Sequence, residues 1–291
     1  MNVNTKLFKF ILPMMLFPCI AFAGAWTQEK GGGFQQVSFT YLKYKGLLNG
    51  DDDGSSLKRE ITDFTLQYYL EYGLHDKLTL LTVLPYKLLS AADKIENIDP
   101  EDDLFPNDTT EGGSLNALSN LTFALKYQLY KKNAVLSAQL RLGTATGEYD
   151  DPTGLRTGYD SWLITPSLLW GKGYENTYIS SEAGFQYKTN DYAHNVLANV
   201  ELGLKMQWKK THTWLVVVID ALVPVTEGNY DDQNSVHTGM FQDSEGFVSP
   251  GVKINHYLNP NWIVNFGTYG AFWADHGGNS PTLNFGLAYE W

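Results

Sequence analysis

The sequence predicts an all-β fold, a transmembrane antiparallel up-and-down β-barrel of about twelve strands. Three observations carry that expectation: an export leader, hydrophobicity alternating with period two between alternately short and long links, and an aromatic-ended final strand.

The leader comes first in the chain. Lys6 and Lys9 give a positive start, an apolar stretch covers 10–20, and Ala21-Phe22-Ala23 supplies the small-x-small pattern of a signal-peptidase site. Sec-type export with cleavage near Ala23-Gly24 is expected. A retained membrane anchor fits less well, because the run is short, is broken by Pro13 and Pro18, and has no basic stop-transfer flank. The single cysteine, Cys19, follows Pro18 rather than a small residue, which disfavours lipidation. The chain divides into a signal peptide (1–23), a periplasmic N-terminal lead-in (24–33) and the barrel (34–291). Three glycines and Trp26 leave two roles open for the lead-in: it plugs the lumen, or it is a flexible approach.

Composition excludes several classes. The formal charge is −11, against the Lys/Arg excess that binding nucleic acid requires. No second stretch is long and apolar enough for a membrane helix, and mean hydropathy is below zero. An inner-membrane helical bundle is thereby excluded. A barrel is not, since its strands are apolar on one face only.

The strand signal is clear in three places. In 61–72, Phe64, Leu66, Tyr68, Leu70 and Tyr72 alternate with Asp63, Thr65, Gln67, Tyr69 and Glu71. In 121–130, Leu121, Phe123, Leu125, Tyr127 and Leu129 alternate with Thr122, Ala124, Lys126 and Gln128. In 196–208, Val196, Ala198, Val200, Leu202, Leu204, Met206 and Trp208 oppose Asn199, Glu201, Gly203, Lys205 and Gln207. Short links at 73–77, 131–133, 171–176, 209–212 and 258–261 alternate with longer ones at 45–59, 88–115, 146–158, 188–192, 226–245 and 274–280. An even strand count with short periplasmic turns and longer external loops is the bacterial outer-membrane pattern.

In the final strand Leu283, Phe285, Leu287, Tyr289 and Trp291 alternate with Thr282, Asn284, Gly286, Ala288 and Glu290. That arrangement resembles the signal read by outer-membrane barrel-assembly machinery. Aromatics gather near the short turns: Tyr69, Tyr72, Tyr127, Tyr130, Trp170, Tyr174, Trp208, Trp214, Tyr257, Trp262 and Trp291. An interfacial girdle predicts such rings. Lysines mark the turns, whereas acids crowd 51–53, 93–111 and 231–232 in the long links, facing outward.

Catalytic and metal signals are weak. No Gly-x-Ser-x-Gly or paired-histidine spacing occurs among the six histidines, so no catalytic residue, metal or cofactor is assigned. The acidic runs lack the ligand spacing of a calcium loop. Bridging by divalent ions to lipopolysaccharide phosphates is an open alternative.

Charges are costly in hydrocarbon, so alternation assigns a lumen-lining set: Asp63, Gln67, Glu71, Lys126, Gln128, Gln139, Arg141, Glu182, Gln186, Lys188, Glu201, Lys205, Asp220 and Lys253, with Gln207, Asn255 and Glu290 beside them. Both signs occur, and no basic track for acidic solutes stands out. A narrow polar channel and an interior plugged by ion pairs fit equally. In 214–225, Asp220 shares its face with Val216, Val218 and Leu222. These either face the lumen or, in the reading slightly preferred, face lipid around a local bulge.

Several motifs bear a family likeness. Gly24-Ala25-Trp26-Thr27-Gln28-Glu29-Lys30-Gly31-Gly32-Gly33 resembles the start of XagA-like proteins. Tyr72-Gly73-Leu74-His75-Asp76-Lys77-Leu78-Thr79-Leu80 with Leu84-Pro85-Tyr86, then Thr146-Gly147-Glu148-Tyr149-Asp150 and Trp162-Leu163-Ile164-Thr165-Pro166-Ser167-Leu168, are similar to the related phenol-degradation meta-pathway (MetA-pathway) outer-membrane proteins. The resemblance implies an outer-membrane barrel with a transport role and no catalytic residues to carry over. The sequence thus leads to a channel or transporter for small molecules, hydrophobic or aromatic ones among them. Its partners would be outer-membrane lipid, lipopolysaccharide and the assembly machinery. The alternatives are a closed structural or surface-interaction barrel with acidic external loops and, less favoured, a lipase-like enzyme.

Overall fold

Period-two alternation gives each strand one apolar and one polar face, and pairing in sequence order brings like faces together. The computed structural model describes residues 24–49, 52–92, 110–208, 211–231 and 237–291, with the backbone alone at 49, 52–56 and 58. The leader (1–23), the acidic stretch 93–109, Asp51, Asp232 and the turn lysines Lys209 and Lys210 lie outside the described residues. So do the side chains of Asp52 and Asp53.

Among the described residues there are sixteen strands: β1 (Gly33–Asn49), β2 (Asp52–His75), β3 (Leu78–Ala91), β4 (Gly113–Leu118), β5 (Thr122–Lys131), β6 (Val135–Gly143), β7 (Tyr149–Asp150), β8 (Leu155–Arg156), β9 (Leu163–Gly173), β10 (Thr177–Lys188), β11 (Asn195–Trp208), β12 (Thr211–Pro224), β13 (Gly246–Tyr257), β14 (Trp262–Tyr269), β15 (Trp273–Gly278) and β16 (Thr282–Glu290). They make a closed antiparallel barrel of twelve wall strands. β4 and β5 are two pieces of one wall strand, both paired with β3. β15 is the tip of the β14–β16 hairpin, paired with β13 on one side and β1 on the other. The chain turns there at His276, whose φ is 62°. β7 and β8 form a small hairpin within the β6–β9 loop. Closure is by β1 and β16, from Phe34↔Glu290 to Tyr41↔Leu283. A closed sheet leaves no free edge and satisfies its own backbone groups.

The outer face is a belt of exposed apolar side chains, including Phe39, Leu125, Leu168, Leu202, Val217 and Phe285. The final-strand residues Leu283, Phe285, Leu287 and Trp291 are all on it. Tyr289 of the same series is only half-exposed, stacked near Trp291 and tilted against Trp262.

Three expectations are corrected. The long link at 45–59 is instead a continuation of the β1–β2 ladder, paired out to Asn49↔Asp52. With 17 and 24 residues, these two strands outrun the ~9–11 that a bilayer needs. Secondly, Trp214, Tyr257 and Tyr69 do not belong to an outer girdle. Trp214 and Tyr257 are 2 % and 5 % exposed, and Tyr69 packs against their cluster. Nearness to a turn suggested the girdle, but strand parity decides the face, and these three share it with inward residues. Thirdly, β12 has no bulge. It pairs without a register shift on both sides. Val216 and Val218 are buried while Val217 and Ile219 are exposed, so Asp220 and its apolar neighbours face inward.

Candidate functional site: the barrel interior

The interior has three levels, beginning at the end with the short turns. Residues 24–33 run inside that end from β10 to β1. Lys126 Nζ donates to the Gly24 carbonyl at 3.0 Å and pairs with Glu71 at 3.4 Å. Ser137 Oγ donates to the Ala25 carbonyl at 2.5 Å. The Gln28 amide N–H donates to Thr79 Oγ1 at 2.8 Å, and its side chain donates to Glu71 at 3.0 Å. Thr27 Oγ1 lies 3.4 Å from Gln128 Oε1. The segment then joins the wall through Gly31 N→Gly73 O and Gly73 N→Gly32 O, both 2.9 Å. Gly73 permits this approach, because a Cβ there would lie 1.9 Å from the Glu29 carbonyl oxygen.

Rings complete this level. Trp26 meets Tyr178 edge-on at 6.0 Å, and Tyr178 meets Trp214 at 5.3 Å. Phe34, Val216, Tyr257, Ile263 and Ala288 pack with them. On β11, Gly203 makes room for the Tyr178 ring, which a Cβ would meet at 1.9 Å. Leu169 of β9 packs with Ala25 and Val135, so all twelve wall strands contribute to a filled layer at the turn end.

The middle level is polar and hollow. Lys253 pairs with Glu201, and Arg141 with Glu182. Asn199 donates to Asp220 at 2.5 Å, and Lys87 pairs with Asp63 at 2.5 Å. Each charged group thus meets an opposite charge or an amide, as burial demands. Three cavities lie among these groups. One of about 500 Å³ is lined by Arg141, Glu182, Gln186, Glu201 and Asp220. One of about 330 Å³ is lined by Gln67, Tyr69, Lys253 and Asn255. The third, about 210 Å³, is lined by Tyr69, Lys126, Gln139 and Arg141. The first two share Tyr269 and Thr282, the first and third share Arg141 and Glu182, and the second and third share Tyr69.

The third level is a cap at the loop end. Asn120, in the break between β4 and β5, donates to the carbonyls of Thr144 and Tyr159 at 2.6 and 2.7 Å. Those bonds draw the 144–162 loop onto the wall. Arg59 donates to the carbonyls of Thr153 at 2.6 Å, Glu111 at 3.0 Å and His237 at 3.4 Å, so one buried guanidinium ties three loops. Lys188 sits 4.3 Å from the Tyr159 ring centroid. Arg156 donates to Tyr192 and Tyr230, whose rings stack at 3.9 Å. Burial pushes the Glu245 carboxyl above its usual range, partly offset by the hydrogen bond from Tyr159 and the charge of Lys188.

The predicted residues are thus distributed over all three levels. Glu71, Lys126, Gln128 and Lys205 are at the turn end, with Lys205 Nζ 5.8 Å from the Trp214 ring. Asp63, Gln67, Gln139, Arg141, Glu182, Gln186, Glu201, Asp220 and Lys253 are in the middle, and Lys188 belongs to the cap. The structure also places a hydroxyl beside a histidine: Thr213 Oγ1 lies 2.9 Å from His256 Nδ1. Both are on outward-facing parity, and no carboxylate partner of His256 occurs among the hydrogen bonds of the described residues.

An outer-membrane channel from Pseudomonas putida F1, known from its crystal structure, superposes with a TM-score of 0.66 at 17 % identity, covering 94 % of this chain and 100 % of that one. The barrel has the fold of that channel. The β domain of the Bordetella autotransporter BrkA (TM-score 0.49, 14 % identity, covering 90 % and 100 %) and the NanC porin (TM-score 0.49, 4 % identity, covering 88 % and 98 %) are more distant. No protein-family model and no curated protein matches the sequence.

Sequence reasoning missed two parts of the site. The loop-end residues Arg59, Arg156, Tyr159, Tyr192 and Tyr230 fall in or beside stretches with no strand periodicity, so nothing local marks them as inward. The amide and hydroxyl residues Gln36, Ser38 and Thr40 do carry a signal. They alternate with the exposed Val37, Phe39 and Tyr41 along β1, the same period-two signal that marks Gln67 and Gln128 in their strands.

Proposed function

We propose that this chain is a passive outer-membrane channel for small polar solutes, delivered by Sec-type export and seated by the barrel-assembly machinery. The observation that carries the reading is the set of three cavities, lined by charged, amide and hydroxyl side chains among apolar ones and adjoining through shared residues, inside a closed barrel with an apolar outer belt. A buried core would fill such space with apolar packing, whereas a solute path keeps it open and lined with groups that replace water. The lumen-lining set assigned from the sequence supplies most of those groups. The turn end faces the periplasm and the loop end the exterior, with lipid and lipopolysaccharide around the belt. The resemblance to XagA-like and phenol-degradation meta-pathway proteins adds aromatic solutes as a candidate class.

A second reading has its own observation. Both ends are occupied by the chain itself, by residues 24–33 at one and by the loop cap at the other, which favours a closed structural or surface-interaction barrel. Liposome swelling with the mature chain decides between them. The channel reading expects neutral solutes of a few hundred daltons to enter loaded vesicles faster than protein-free controls. Equal rates over a solute series would leave the closed barrel as the function.

A further inference from the structure

The interior has two unlike walls. The charged pairs Arg141–Glu182 and Glu201–Lys253, with Asp220, stand on the β6, β10–β13 side. Facing the 330 Å³ cavity from β1, β13, β14 and β16 is a wall of uncharged side chains: Gln36, Ser38, Thr40, Asn255, Asn265 and Asn284. Among the described residues, the one charged side chain lining that cavity, Lys253, turns its ammonium to Glu201. The Phe34, Tyr69 and Tyr269 rings border the same space.

The wall is cross-braced and incompletely satisfied. Asn265 Nδ2 donates to Gln36 Oε1 at 3.0 Å, and Asn284 Nδ2 donates to Thr40 Oγ1 at 2.9 Å. Asn255 Nδ2 and Asn265 Oδ1, from residues 6 % and 8 % exposed and directly opposite each other on β13 and β14, have no hydrogen-bond partner among the described residues. One is a donor and the other an acceptor. Gly286 keeps the floor flat: a Cβ there would lie 2.4 Å from Asn265 Oδ1. From Gln36 to Thr40 the wall runs roughly 14 Å at ~3.4 Å per residue.

We infer that this amide and hydroxyl wall is a binding site for a neutral saccharide or polyol, a reading that deepens the channel function and rests on it. Hydroxyl groups both donate and accept, so a string of them matches side chains presenting donors and acceptors in turn, and the bordering rings cover the ligand's C–H faces. An ion would meet a wall with no free countercharge and would have to break pairs opposite it. A simple phenol carries one polar group and would leave most of the wall unanswered.

The test is current block in planar bilayers by the full mature chain, with maltose as probe and catechol and glutamate as comparators. Maltose is expected to interrupt the open current. Asn265→Leu and Asn255→Leu should each raise the half-blocking concentration about tenfold, the equivalent of one lost hydrogen bond, with open conductance kept. Heat-modifiable migration on gels verifies folding, and Asn284→Ala replaces a variant that fails it. A conducting channel that ignores maltose, prefers catechol or glutamate, or is blocked equally in all variants overturns the inference and leaves the channel standing. If wild type does not conduct, the channel reading falls. Calorimetric titration of maltose into the solubilised protein then decides the site, with heat abolished by Asn265→Leu supporting it and no heat overturning it.

Discussion

Lys126→Ala is expected to destabilise the folded barrel by about 3–5 kcal/mol, the usual cost of stranding one member of a buried ion pair. The Lys126 and Glu71 side chains are 0 % and 1 % exposed. Removing the ammonium leaves the carboxylate with hydrogen bonds from Gln28 and Tyr69 but no countercharge. It also frees the Gly24 carbonyl, so the start of the 24–33 segment should loosen. Those two remaining hydrogen bonds put the expected loss near the lower end of the range. Urea titration of the protein refolded into lipid vesicles measures it. The double variant Lys126→Met/Glu71→Leu should recover most of the loss, because it strands no charge. A single variant as stable as wild type would mean that the pair is already solvated.

Arg59→Ala should act at the opposite end. Its guanidinium holds the carbonyls of Glu111, Thr153 and His237, which belong to three different loops. Each hydrogen bond from a charged donor contributes about 1.5–3 kcal/mol, and losing all three also leaves buried carbonyls unpaired. The wall ladder is untouched, so the effect should be local opening rather than unfolding. Limited proteolysis of intact proteoliposomes is expected to cut within 144–162 and 225–245 at least tenfold faster than in wild type. Arg59→Lys, which keeps the charge but loses the fork, should fall between the two. Cleavage unchanged in Arg59→Ala would show that the aromatic cluster of Tyr159, Tyr192 and Tyr230 holds the cap alone.

The wall was legible in the sequence because a barrel strand writes its two faces directly into alternate residues. The β2, β5, β11 and β16 faces follow from parity alone, and the strand count follows from the alternation of short and long links. What failed was reasoning by position without parity. Trp214 and Tyr257 stand near turns as girdle residues do, yet their neighbours Val216 and Asn255 share the inward face. The bulge expected in β12 failed for a related reason. Asp220 among valines looked inconsistent with a polar interior, but this interior uses Trp214 and Val216 to pack Tyr178 and Trp26. Contacts between distant segments left no local trace at all. Nothing near Gly73 indicates that its missing Cβ accommodates Glu29, and nothing near Arg59 names the three carbonyls it holds.

The proposed function requires a solute path through the barrel, with residues 24–33 occupying its turn end. Single-channel recording of the chain starting at Gly24, beside one that also lacks 24–32, measures that path. Small conductance steps are expected for the chain starting at Gly24 and clearly larger ones for the shortened chain, because Trp26 and the backbone held by Lys126, Ser137 and Thr79 would be gone. Equal conductance in the two, or none in either, would contradict that proposal.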